Sequence, residues 1–513
     1  MQPAFGTRAT SVRSPRCYDR SMGTSETKAV TARLPRAMCD CALGYVRRES
    51  SFRAALALCA VTAPGCAGIS RSPHDVTAAD ASIDITSIEE DVVSVPTYWR
   101  DIAPIINANC IACHTAGGIA PIALTSYASV QSVAMQMAQV TASAIMPPWL
   151  PSSNGCRPLQ DPRVLTDAQL NAIAQWAAHG APEGNAADYV AAQHIGPQPL
   201  LPPVGDIIAR PNAVYLPDQA VTDDYRCFPM DLGLTTTTDI VGLRVTPGDA
   251  RIVHHVILFE VREPSLPDLH AMDDADPGPG YACFGGTGIA ALPVSPPAGT
   301  NDIVNASVQL LGGWLPGTVA GYFPAGTGIR LQRGSRLVMQ VHYNLSDATR
   351  GIVDQTRVDL YTSSTPVGSQ ALWLPIANAG FSVPPGAGPT DPGGTAVMNT
   401  QLQYNFRIFG LQPHMHTHGR EIRIDLLHAD GTSDCLLDIP SWEFHWQQAY
   451  WFVDPVPGNP SSPNGAMVRL TCTWDNTAAN QPVIDGVRAP PHELHWGEGT
   501  SDEMCINFLY VAR

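Results

Sequence analysis

The residues best suited to chemistry in this sequence are a Cys-x-x-Cys-His run, Cys110-Ile111-Ala112-Cys113-His114, and three separate histidine groups with one late methionine. On a helix, Cys110 and Cys113 stand one turn apart on the same face. Two thiols so placed can reach the two vinyl groups of a haem, while His114 binds the iron. A zinc site would need a second pair of ligands at matching spacing, and none lies nearby. The βαβ setting of a Cys-x-x-Cys redox motif is also missing. The reading is one covalent haem c. Met135, Met137, Met146 and His179 are available as the sixth iron ligand. Met135 and Met137 fall inside helical periodicity, where methionine usually fills core. Met146 precedes Pro147-Pro148-Trp149, and proline drives the residue before it into an extended conformation. A loop of that kind can fold over the second haem face and present a thioether, so Met146 is the expected ligand.

The histidine groups are His254-His255 in IVHHVILFEV, His342 in MQVHYN, and His414, His416 and His418 in PHMHTHGR; Met504 lies in GTSDEMC. Side chains alternate faces along a strand, so His414 and His416 point the same way and can share one metal. His418 would continue that face only in a regular strand, and Gly419 marks the end of one. Adjacent His254 and His255 point to opposite faces of a regular strand; they can share a metal only at a bulge or a strand end.

Two textures of chain must position these groups. Residues 94–188 read as helical: Thr97 is a candidate N-cap, SYASVQSVAMQMAQVTASA has helical periodicity, and Thr166 and Gln169 stand at capping-box spacing in a helix that stops at Gly180. With the Cys-x-x-Cys-His and MPPW segments, this stretch resembles the small class I cytochromes c. Beyond about residue 195 the helical pattern gives way to VGLRV, IVHHVILFEV, RLVMQVHYNL, QYNFRIFGLQ, REIRIDLL, AMVRLTCTW and CINFLYVA, strand-like runs bounded by Pro, Gly, Asn and Asp. The region is too long for one small sandwich. The expected fold is multidomain: a small all-α haem domain (94–188), then two all-β antiparallel, jelly-roll-like sandwiches (200–365 and 366–513). A proline-containing, partly stiff linker near residues 185–200 would join the haem domain to them.

Charged residues are only 15% of the chain against 44% hydrophobic, a globular composition. A net charge of −16 excludes a nucleic-acid partner, which needs a basic face. Residues 1–68 read as a targeting region. RRESSFR followed by AALALCAVTAPGCAG has signal-peptide order, and the apolar core is too short to span a bilayer. It lies deep enough to make Met22 or Met38 candidate starts, and Cys66 is a candidate lipid-anchor site. Residues 69–93 are an acidic linker. The widely spaced cysteines suit disulfides and an oxidising compartment, so the protein is expected to be periplasmic or secreted.

The order and flanking residues of HH, QVHYN, HMH and GTSDEMC together resemble the copper type II monooxygenases, the family of peptidylglycine α-hydroxylating and dopamine β-monooxygenases, over about residues 200–513. The resemblance implies two copper ions in two β-sandwiches. His254, His255 and His342 would hold an electron-transfer copper, and His414, His416 and Met504 the catalytic, oxygen-binding copper. Two imidazoles and a thioether suit Cu(I). The implied activity is hydroxylation of a C–H bond of a small organic substrate with O2, with electrons from a reductant or redox protein, here through the fused haem. The resemblance also implies disulfides Cys227–Cys283 and Cys472–Cys505; Cys156 and Cys435 have no family partner and are free or paired with each other. His418 falls outside the ligand pattern and reads as second-sphere or surface. Peptide-amidating members grip a carboxylate with an arginine two residues before the HxH pair and with an asparagine and a tyrosine two and four residues after the methionine. Gln412, Ile506 and Phe508 stand there instead, which argues against a peptide substrate. The competing readings are a copper-binding or electron-transfer protein without hydroxylase activity, and a zinc hydrolase, which Met504 disfavours.

Overall fold

Two strands of the second half, Ser369–Ala377 and Ile506–Ala512, carry almost unbroken apolar runs, ALWLPIA and INFLYVA. A strand with that pattern must be covered on both faces. In the computed structural model, which describes residues 94–513 apart from 112, 116–119, 153–154, 192–200, 293–305, 316–317, 319, 403–404, 459–466, 485–486, 498 and 500–501, both strands are covered in this way. They lie side by side in a long sheet whose neighbours include Arg357–Thr362, Thr238–Thr246 and Thr327–Leu331 on one side and Phe406–His414 and Tyr450–Gly458 on the other. Ala371, Trp373, Tyr510 and Ala512 face one apolar core, and Leu372, Leu509 and Val511 face another.

A five-stranded sheet closes the first core. Its central strands are Asp223–Asp231, Arg336–Asn344 and Val253–Val261, which contribute Phe228, Met339, Val341, Val256 and Leu258. A four-stranded sheet with Gly419–Leu427 and Met467–Trp474 at its centre closes the second, through Ile422, Ile424, Leu470 and Trp474. The β region is therefore mostly antiparallel, as its pattern predicts. The two sandwiches are not independent beads, however, because one sheet runs through both. The join is the parallel pairing of Ser369–Ala371 with Thr327–Ile329.

Among the described residues, 94–188 hold the helices Ala103–Asn109, Tyr127–Ser132, Ala134–Ala142 and Asp167–Ala178, with a single wide turn at Tyr98–Ile102; the β region also carries one helix, Leu266–Ala275, where the sequence pattern predicts none. Thr166 and Gln169 form the capping box that starts the last helix. The central helical pattern is broken at Val133, the C-cap of a first short helix that starts at a Ser126–Ser129 capping box. Thr97 does not cap with its side chain; its backbone N–H instead donates to Asp101 Oδ2 (2.7 Å). Ile102, Ile106, Val130, Ile173 and Trp176 close this small core. Among the described residues, disulfides join Cys156 to Cys435, Cys227 to Cys283 and Cys472 to Cys505. No helix among them is long and apolar enough to cross a membrane. The targeting region 1–68 with Cys66, the linker 69–93, and residues 192–200 of the second linker lie outside the described residues.

Candidate metal centres

His254 and His255 sit at the start of Val253–Val261, a central strand of the five-stranded sheet, beside the strand that carries His342. Val253 pairs with Tyr343 and His255 with His342, so the register slips at His254. That slip lets both neighbours turn toward His342. The Nδ1 atoms of the three rings lie 3.3 Å (His254–His255), 3.1 Å (His254–His342) and 3.4 Å (His255–His342) apart. His342 Nε2 donates to Asp223 Oδ1 at 2.9 Å, and Asn344 Nδ2 donates to the same oxygen at 2.8 Å. A carboxylate only accepts, so the proton sits on Nε2 and the Nδ1 lone pair points at its neighbours. The bond from His342 holds the Asp223 carboxyl below its usual range. Tyr225 stacks flat on His342 with centroids 4.2 Å apart and fixes the ring plane. Burial lowers the His254 pKa to about 4 and drives that of His255 well below the ordinary value. Three rings whose Nδ1 atoms converge could together hold one metal cation; a carboxylate such as the one behind His342 is the usual outer partner of a metal-bound histidine.

His414 ends its strand, and His416 lies beyond it in the turn that leads to Gly419. Strand alternation therefore does not align the pair, contrary to the sequence expectation. Met415 between them anchors in the second core, and the two rings meet edge to face at 5.0 Å. His414 Nδ1 is bonded by Gln447 Oε1, and His416 Nδ1 donates to the Asp502 carbonyl at 2.9 Å. In both rings Nε2 is the atom that could bind a metal. Burial lowers the His414 pKa to about 3. Ile506 pairs with His414 across the strands, and His416 bonds the Asp502 carbonyl and the Glu503 carboxylate, so the chain at Met504 passes beside both histidines. Two imidazoles thus share one rim, with Met504 next to it in the chain.

A buried carboxylate that the sequence reading missed organises this rim. Glu503, fully buried, accepts from the backbone N–H of His416 (3.0 Å) and His418 (2.6 Å), from Trp474 Nε1 (3.1 Å) and from Met504 N (3.3 Å). His418 is buried, with Nδ1 3.4 Å from Glu503 Oε1 and Nε2 3.4 Å from Gln481 Oε1, so it is an outer support of the rim and not a surface residue. Cys505, next in the chain, is tied to Cys472. Gln412 and Phe508 pair directly across the strands, two residues behind His414 and Ile506, and so share that face of the sheet.

A second missed residue is Phe444. The segment Ser441–Ala449 leaves the second sandwich, and its Phe444 ring stacks on His254 (5.5 Å) while meeting His416 edge-on (6.1 Å). One aromatic ring therefore touches both histidine groups. A cavity of about 160 Å³ lies beside it, bounded by Val253, His254, Leu315, Phe444 and Gln447.

In the helical segment, the helix ends at Asn109, and the Cys-x-x-Cys-His run continues as a turn in which Cys113 N and His114 N both donate to Cys110 O. Both cysteines are unpaired thiols. Burial pushes the Cys110 thiol up to about 11 and raises that of Cys113. His114 Nδ1 donates to Ile122 O at 2.8 Å, which frees Nε2. Met146 is half-buried after the third helix, Met137 is in the helical core, Met135 is largely exposed, and His179 Nδ1 bonds Gln175 O at the end of the last helix.

Among solved structures, the chain has slight likenesses to a two-domain protein of unknown function from Bacteroides fragilis (9% identity, TM-score 0.15, covering 57% of this chain and 95% of that one) and to allantoicase (12%, TM-score 0.13, 58% and 83%). Scores that low carry no argument. The chain is similar to tyramine beta-hydroxylase of Caenorhabditis briggsae, 22% identical over 285 residues that cover 52% of this chain and 40% of that protein. It thus spans less than half the length of that relative. Residues 378–512, the part that carries His414, His416 and Met504, match the family described as copper type II ascorbate-dependent monooxygenase, C-terminal domain.

Proposed function

We propose that the chain is a copper-dependent monooxygenase that hydroxylates a C–H bond of a small organic substrate with O2, in the periplasm or outside the cell. The observation that carries this reading is the pairing of two different ligand sets on facing rims. One offers three Nδ1 atoms and the other two histidine rings whose Nδ1 atoms are already engaged, with Met504 as the thioether that would complete it. Soft sulfur favours Cu(I), and an all-imidazole site suits copper in both oxidation states. The balance is one O2, one substrate C–H, two electrons and two protons giving one C–OH and one water. Bound copper would supply the one-electron chemistry at each rim. The chain's own residues do the rest: Asp223 and Gln447 fix ring orientation and tautomer, Glu503 holds the Met504 rim, and Phe444 closes the space between the two sets.

Gln412, Ile506 and Phe508 lie on the face behind His414, and none carries a charge. A desolvated carboxylate needs a charged or multi-donor partner. Peptides ending in glycine are therefore expected not to be turned over when incubated with the copper-loaded enzyme and a reductant; efficient amidation would contradict the assignment of this face. The name of the relative puts arylethylamines first among substrates to try. The deciding experiment is metal and haem quantitation followed by an O2-consumption screen over amines, phenols and alkylaromatics. Two coppers with substrate-dependent O2 uptake are expected; zinc at the His414 rim, or no uptake with any class, would count against the reading.

In the same reading, residues 94–188 are a c-type haem segment with thioether links at Cys110 and Cys113, His114 Nε2 on the iron and Met146 as the opposite ligand. The two unpaired thiols on one turn and the anchored His114 ring support it. The haem would pass electrons from an external redox protein. The double variant Cys110→Ala/Cys113→Ala is expected to lose the covalent haem and keep both coppers, because the helical core is separate from the β cores. A haemochrome spectrum and copper analysis on the same sample check it.

A further inference from the structure

The route by which a haem electron would reach copper is set by where the helical segment is fastened, and that is the second sandwich. After Met146 the chain runs along the outside of that sandwich. Ser152 N donates to Asp438 O (2.8 Å), Arg157 N to Cys435 O (3.1 Å), Gln160 N to Trp451 O (2.7 Å), and Val453 N to Pro158 O (3.0 Å). Cys156 is bonded to Cys435, 279 positions away, and Arg157 pairs with Asp434. Trp149, Leu150 and Leu159 pack on the second core, and Trp149 meets Tyr450 edge-on at 5.4 Å. A covalent bond, a ladder of backbone bonds and apolar packing together make a rigid dock, not a flexible tether.

The dock leads inward. Trp149 of the docked segment rests edge-on against Tyr450. Tyr450 pairs with Leu411 on the His414 strand, and Gln447, three residues before Tyr450, bonds His414 directly. Trp149, Tyr450, Gln447 and His414 therefore mark a line from the docked segment to the His414 rim. From the His414–His416 rim, Phe444 continues to His254.

We propose that electrons enter the β region at the His414–His416–Met504 rim, through the docked Trp149–Tyr450 face, and reach the His254–His255–His342 cluster only afterwards across Phe444. The proposal rests on the copper-and-haem reading above. In each transfer one ferrous haem is oxidised to ferric and one Cu(II) is reduced to Cu(I). A one-electron redox protein re-reduces the haem, twice per hydroxylation. A relay that began at the three-histidine cluster would need a helical segment fastened to the first sandwich, and the bonds above run to the second.

The test uses the full chain loaded with haem and Cu(II), without O2. Pre-reduced haem is followed by stopped-flow absorbance after haem and copper contents have been measured. In the wild type, haem oxidation is expected at a rate independent of protein concentration. His342→Ala should keep this first phase, because the entry rim is intact. His414→Ala should lose it, and Tyr450→Leu should slow it at unchanged copper content and haem spectrum. Loss of the phase in His342→Ala with retention in His414→Ala would overturn the proposed entry point. A chain that carries no haem would overturn the haem reading itself, whereas a loaded haem that stays reduced beside Cu(II) would overturn only the relay.

Discussion

Replacing Met504 by isoleucine is expected to abolish hydroxylation while leaving copper at the three-histidine cluster bound and reducible. Met504 follows the Asp502–Glu503 pair that bonds His416, and is fixed by its N–H to Glu503 and by the Cys472–Cys505 bond beside it. Isoleucine roughly keeps the side-chain volume and removes only the thioether, so packing of the rim is little disturbed. Loss of an outer-sphere partner of a metal typically costs about 10–100-fold in activity or affinity. Loss of a ligand should exceed that, because sulfur sets the preference for Cu(I). The readouts are substrate turnover and, separately, the electron paramagnetic signal of the remaining oxidised copper and its disappearance on reduction. Near wild-type turnover would make Met504 structural.

The second large effect is expected at Glu503. In Glu503→Leu three buried donors, His416 N, His418 N and Trp474 Nε1, lose their acceptor together. Each buried polar group left unpaired costs about 1–3 kcal/mol. The variant should therefore lose on the order of 3 kcal/mol or more of stability, measured by denaturant unfolding. It should also bind copper more weakly at the His414 rim than at the His254 cluster. Glu503→Gln keeps one carbonyl acceptor and should fall between the two. If Glu503→Leu unfolded like wild type, the carboxylate would not be what holds the rim.

The sequence made some of this legible and concealed the rest for identifiable reasons. Strand runs such as IVHHVILFEV and RLVMQVHYNL were readable because apolar β-branched stretches end at Gly, Pro and Asn. The Thr166–Gln169 box was readable because capping is local. INFLYVA also carried a signal that points beyond a simple sandwich: with no polar alternation it has to be buried on both faces, and it forms the wall common to the two cores. Whether adjacent His254 and His255 converge depends on a register slip against Tyr343 and His342, a property of two strands and not of one. Glu503 gave no signal, since its partners, the His416–His418 turn and Trp474, are distant in sequence. Phe444 was hidden for the same reason: its role comes from a segment that leaves one sandwich to reach the other. The Cys156–Cys435 bond joins segments of different texture, which spacing alone could not pair.

The measurement that tests the central claim most directly is copper K-edge X-ray absorption of the fully reduced, copper-loaded protein, with metal counted on the same sample. The account predicts two coppers per chain, nitrogen scattering at both, and sulfur scattering at one of them that disappears in Met504→Ile. A single copper per chain, or an all-nitrogen spectrum that Met504→Ile leaves unchanged, would contradict it.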